Sequence, residues 1–181
     1  GFYLVLSYMP VYLTAELGVS DRVAFVGSSI SLFLYLLATF GMGLLSDRFG
    51  RSTVLIVCSV LFLVMTLPLF MLVSRFAAEA VSTGSLTAIF GAWALLAICL
   101  AMNGGTLPTF LCELFPTRVR FSGFAISFNS ANALFGGTAP WISTWLIGAK
   151  NNTMAPAWYL MLAAIVTLFA ILASRHRAIA G

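Results

Sequence analysis

The sequence has 181 residues, of which 61% are hydrophobic and 8% charged, with a formal net charge of +4 and a mean hydropathy of +1.07. A soluble domain of this length leaves too much of itself in water to be built from such a composition, so an aqueous globular fold is excluded and the bilayer is the expected solvent. Membrane topology accounts for the basic balance, and nucleic acid is not an expected partner.

An apolar helix needs roughly 20 residues to cross the hydrocarbon layer at about 1.5 Å per residue. Six runs approach that length, at about residues 2–17, 23–45, 53–74, 86–112, 121–147 and 156–173. The first carries Tyr3, Tyr8, Tyr12 and Pro10, and it begins without an initiating Met, a basic n-region or a cleavage site. It therefore reads as a spanning helix rather than a signal peptide, and the chain as a piece of a longer polypeptide. The second run ends in a polar stretch at residues 41–51, and the third contains Pro68 and leads into a polar connection at residues 75–85. In the fourth, Asn103, Gly104, Gly105 and Pro108 predict a kinked or locally opened helix. The fifth holds Asn129, Asn132, Gly136, Gly137 and Pro140, and the sixth is followed by Arg175, His176 and Arg177. The expected fold is an all-α membrane protein, a six-transmembrane-helix bundle.

Basic residues are retained on the cytoplasmic side of short loops. The connections after the second, fourth and sixth spans hold Arg48, Arg51, Arg118, Arg120, Arg175 and Arg177, whereas the opposite side holds only Arg22, Arg75 and Lys150. Both ends of the chain are thus expected in the cytoplasm, and residues 41–51 form a cytoplasmic loop. Cys58, Cys99 and Cys112 lie within apolar runs and read as small hydrophobes, with neither a disulfide framework nor a metal site implied. The sequon Asn151, Asn152, Thr153 falls in an outer loop and is a weak motif. No cofactor is expected.

A polar side chain inside lipid needs a partner helix or a cavity. Tyr8, Tyr35, Asn103, Asn129 and Asn132 fall near mid-membrane in the first, second, fourth and fifth spans, which predicts four helices around a polar path and two outside it. Asn129, Asn132, Gly136 and Pro140 share one helical face by their spacing. Each of these residues also fits a helix-packing role, worth about 1 kcal/mol or less per hydrogen bond. No ionisable residue lies at mid-membrane, so a proton carrier is expected elsewhere.

The stretch at residues 41–51 combines Gly43, which allows a close approach, Gly50, which allows unusual backbone angles, and Asp47 beside Arg48 and Arg51. The second cytoplasmic connection places Glu113 near Arg118 and Arg120. Two loops of mixed charge can pair across the bundle and latch its cytoplasmic end.

Gly43, Asp47, Arg48, Gly50 and Arg51 resemble the loop motif of the major facilitator superfamily. Residues 8–13, 113–120 and 156–161 narrow the likeness to the metabolite:proton symporters, which carry solutes such as proline, glycine betaine, citrate, 2-oxoglutarate and shikimate. Ser52 departs from the motif, where another basic residue is common. The resemblance implies that the six spans are the seventh to twelfth of a twelve-helix carrier, whose N-terminal six-helix half lies elsewhere in the same polypeptide and holds the proton-handling groups. It implies a secondary active transporter working by alternating access, a proton-coupled symporter for a small organic acid or zwitterionic osmolyte in a plasma membrane, the bacterial inner membrane in particular.

Two other classes are weaker. A six-span channel needs a selectivity filter or a charged ring, and none is visible. An intramembrane enzyme needs a nucleophile with its base or a metal cluster, yet the single histidine, His176, lies in the terminal tail. No catalytic residue is assigned.

Overall fold

The computed structural model describes the backbone of residues 1–83, 87–150 and 154–180, and the side chains of residues 1–76, 89–148 and 154–174. The sequon at 151–153 and the side chains of Glu79, Lys150, Arg175, His176 and Arg177 lie outside the described residues. All described elements are helical. A π-wound segment, Tyr3–Tyr8, continues into α1 (Met9–Ala15), followed by α2 (Asp21–Phe49), α3 (Arg51–Thr83) and α4 (Thr87–Leu114). Then come α5 (Arg120–Ala131), a second π-wound segment, Asn132–Gly136, α6 (Ala139–Lys150) and α7 (Ala155–Ala180).

Among the described residues four helices are long and apolar enough to cross a membrane, within Asp21–Phe49, Arg51–Phe76, Ile89–Leu114 and Ala155–Ser174. The first and fifth apolar runs differ from the expected continuous spans, because each is interrupted by a π-wound segment near a proline. A helix also replaces much of the polar connection expected at residues 75–85, since α3 runs to Thr83. The sixth run extends past residue 173 in the same way, as α7 continues to Ala180.

Of the kinked or locally opened helix expected in the fourth run, the opening is absent: α4 is helical through Asn103, Gly104, Gly105 and Pro108. The glycines serve packing instead. A Cβ on Gly105 would lie 2.6 Å from the Thr39 carbonyl oxygen and 3.0 Å from the Gly43 amide nitrogen, so α2 and α4 touch backbone to backbone. The Tyr35 hydroxyl sits against Gly104 one position earlier. In lipid, an unwound backbone has no water to bond, and a helix with a small-residue contact is the more stable choice.

α4 is the centre of the bundle, flanked by α2 on one side and α3 on the other, with α7 along α3. Trp93 and Leu96 of α4, Tyr12 and Leu13 of α1, and Phe70 of α3 are fully buried in one core. The outward faces are strongly apolar: Phe121 is 87% exposed and Phe169 69%. Such a surface is stable against lipid tails and would aggregate in water.

The turn between α2 and α3 is a single residue, Gly50, at φ +88°, a conformation that side chains with a Cβ resist. Its N–H bonds to the Ser46 carbonyl at 3.0 Å, closing α2, and its own carbonyl accepts the Thr53 N–H at 3.1 Å, opening α3. This one-residue reversal fixes the place of the charged residues on either side.

Candidate functional site

Two features stand out: a cavity among the helices and a charged cluster at the α2–α3 turn. The cavity, of about 730 Å³, is lined by residues from α2, α3, α4, α5, α7 and both π-wound segments. Tyr35, Asn103 and Asn132 all meet there. Tyr8 and Asn129 are not among its lining residues.

The difference has a local cause in each case. The Tyr8 hydroxyl lies 3.0 Å from Thr144 Oγ1, and that threonine hydroxyl already donates to the Pro140 carbonyl at 3.0 Å, so Tyr8 is the donor to Thr144. Its hydroxyl is engaged in joining the Tyr3–Tyr8 segment to α6. Asn129 is exposed on α5, which buries none of its residues.

The polar groups of the cavity are unequal. Ser59 of α3 and Thr167 of α7 both line it, which adds the two helices that the polar pattern had left outside. Yet Ser59 donates to the Leu55 carbonyl at 2.9 Å and Thr167 to the Ala163 carbonyl at 2.8 Å, so each hydroxyl proton is taken by its own helix. The side chains of Tyr35, Asn103 and Asn132 make no hydrogen bond among the described residues, which leaves one hydroxyl and two carboxamides for a solute. Among the described residues the cavity lining contains no Asp, Glu, Lys, Arg or His. Cys58, also on the wall, points its thiol at the Cys99 carbonyl at 3.4 Å and behaves as a small apolar residue.

In the charged cluster, Arg51 pairs with Asp47 one turn back, at 3.2 Å, and with Glu113 at the end of α4. One arginine therefore ties the α2–α3 turn to a third helix. Arg48 does not join the cluster, its guanidinium lying over the Phe49 ring at 5.9 Å. Arg120 donates to the Phe115 carbonyl at 3.4 Å, inside its own connection, and Arg118 is exposed with no acidic partner among the described residues. Of the four loop arginines, Arg51 alone pairs across elements among the described residues, because the turn at Gly50 aims its helix position at α4.

A residue that the polar pattern did not single out is Trp93. Its indole N–H donates to the Val5 carbonyl at 2.8 Å in the fully buried core. The available signal was chemical, since a tryptophan inside an apolar run must place its N–H somewhere. Among the described residues no group of His, Cys, Asp or Glu is arranged to hold a metal ion.

The sequence profile of the sugar (and other) transporter family matches residues 3–175. The chain is 34% identical over 167 residues to a proline/betaine transporter of Escherichia coli strain K12, covering 92% of this chain and 32% of that protein. It is 34% identical over 171 residues to an ectoine/proline transporter of Corynebacterium glutamicum, covering 94% and 32%. It is 33% identical over 172 residues to a citrate-proton symporter of Salmonella typhi, covering 93% and 37%. The chain spans about a third of the length of these curated relatives. No solved structure matches it significantly.

Proposed function

The chain belongs to the sugar (and other) transporter family, within the major facilitator superfamily, and from that membership we propose that it is the C-terminal six-helix half of a twelve-helix, proton-coupled symporter. The solute is a small organic acid or a zwitterionic osmolyte, the classes for which the relatives are named. The observation that carries the reading is the meeting of Tyr35, Asn103 and Asn132 on one uncharged cavity. Neutral hydrogen-bonding groups hold a solute without trapping it, which a carrier needs in order to release its cargo.

In this reading the polypeptide alternates between two conformations around a midplane site, and this chain supplies one wall. Among the described residues no acidic or histidine side chain lines the cavity, so in this reading the proton is handled by the other half, together with any charge that would pair with a carboxylate. Arg51, Asp47 and Glu113 act as the latch of one conformation, with Gly43 and Gly50 fixing its geometry. Arg48, Arg118 and Arg120 hold both chain ends on the cytoplasmic side of a bacterial inner membrane. The role is transport without covalent chemistry.

The test is uptake of radiolabelled glycine betaine, proline or citrate by the full-length polypeptide in membrane vesicles with an imposed proton gradient. Uptake of at least one probe that collapses on adding a proton ionophore is expected. Uptake indifferent to the ionophore overturns the coupling.

A further inference from the structure

The two π-wound segments share a construction. In a π turn the carbonyl of one residue is closed by the amide five residues on. For Val5 that position is Pro10, which has no N–H. The Val5 carbonyl receives the Trp93 indole from α4 instead, at 2.8 Å and with both residues fully buried. The second segment ends its π bonding at the Gly137 amide to Asn132 carbonyl bond; in the turn that follows, Phe135 also stands five residues before a proline, Pro140, and its carbonyl receives the Tyr159 hydroxyl from α7, at 3.1 Å.

The two breaks also face each other. A Cβ on Gly136 would lie 2.6 Å from the Tyr3 ring, and Tyr8 meets Thr144 two turns further along. Each break carries a cavity residue, Tyr3 in the first and Asn132 in the second. An unbonded carbonyl in hydrocarbon is costly, so each break is stable only while its outside donor is in place.

We propose that Trp93 and Tyr159 are positioning residues, each supplying from a neighbouring helix the hydrogen bond that a proline withholds. Together they hold the two interrupted segments at the cavity. A backbone hydrogen bond moves with its own helix, whereas these two tie the shape of each break to the position of α4 and α7. A shift of either helix therefore alters the cavity wall at Tyr3 or Asn132. The consequence for transport rests on the proposed function, while the substitution of one donor for another does not.

The experiment is a rescue, read by amide hydrogen exchange and mass spectrometry on the purified full-length polypeptide. Trp93→Phe keeps an aromatic ring and deletes the N–H, and Pro10→Ala returns a backbone N–H to the break. Exchange across residues 3–15 should rise about fivefold in Trp93→Phe, the scale of one buried hydrogen bond, and return to the parent level in Pro10→Ala/Trp93→Phe. Tyr159→Phe with Pro140→Ala should behave alike across residues 132–142. Exchange unchanged in a phenylalanine variant, or raised and not restored by the alanine, overturns the assignment for that pair. If Trp93→Phe fails to fold, the double variant must fold, and its failure overturns the assignment too. In uptake assays with the three labelled probes, Trp93→Phe should raise KM more than it lowers kcat, with recovery in the double variant. A rescue seen by exchange while no probe is carried leaves the hydrogen-bond roles standing and removes only the transport reading.

Discussion

Arg51 forms an ion pair with Glu113 across 62 residues of sequence, joining the start of α3 to the end of α4. The side chains are 25% and 56% exposed. A pair so open to solvent contributes about 0–1 kcal/mol, too little to hold the fold together. An equilibrium between two conformations of nearly equal energy is different, because about 1 kcal/mol there changes a population ratio roughly fivefold. In the full-length polypeptide, Glu113→Gln should change turnover about two- to fivefold and leave solute affinity nearly unchanged. Asp47→Asn should act in the same direction with a smaller effect, since Asp47 lies on the same turn as Arg51 and links no third element. Arg48→Gln is the control. Initial-rate kinetics decide, and a loss of affinity at constant turnover would sink the latch.

The contact of Gly105 with Thr39 and Gly43 involves backbone atoms, which cannot rotate away as a side chain does. Gly105→Ala should therefore separate α2 from α4 and destabilise the bundle by about 1–3 kcal/mol, the usual scale of overpacking. Gly41 and Gly91 have nothing within 4 Å of the added Cβ, and Gly41→Ala or Gly91→Ala should be neutral or stabilising by up to about 1 kcal/mol. Thermal unfolding in detergent compares the three. Equal midpoints for Gly105→Ala and Gly41→Ala would mean that the helices are not in contact at Gly105.

Val64 of α3 is 56% exposed near the middle of an apolar helix. If this face meets lipid, Val64→Lys costs about 2.5–3.5 kcal/mol of insertion. Lys at the exposed Val119, in the connection before α5, should cost little. The membrane-integrated fraction after synthesis into microsomes measures both, and equal insertion of the two variants would contradict the lipid-facing assignment.

Composition and charge carried much of the architecture. Four of the six apolar runs coincide with the helices long and apolar enough to cross a membrane among the described residues, and the complementary charges at residues 47–51 and 113–120 were visible before their meeting. Which arginine pairs was not visible, because it depends on the single-residue turn at Gly50 and on the rotation of α3. The glycines at 104 and 105 were misleading for a related reason. Sequence alone does not distinguish a glycine that opens a helix from one that admits a neighbour, and here Tyr35 and Gly43 lie across from them. The π-wound segments were hidden altogether, since the donor to Val5 lies 88 residues away on Trp93.

The cavity divides the five polar residues of the spans into two groups, and that division is testable. Tyr35, Asn103 and Asn132 line it with no hydrogen bond of their own among the described residues, whereas Tyr8 is bonded to Thr144 and Asn129 faces outward. A solute that takes up an uncommitted group gains one hydrogen bond, worth about 0.5–1.5 kcal/mol, or roughly a two- to tenfold change in affinity. Tyr35→Phe, Asn103→Ala and Asn132→Ala should each weaken binding by that amount in the full-length polypeptide. Asn129→Ala should leave binding unchanged, and Tyr8→Phe should lower thermal stability while leaving affinity within about twofold. Equilibrium binding of labelled glycine betaine, proline or citrate separates affinity from turnover. The opposite pattern, with Asn129 and Tyr8 sensitive and the cavity residues silent, would place the solute on the outer face of α5 and reduce the cavity to a packing defect.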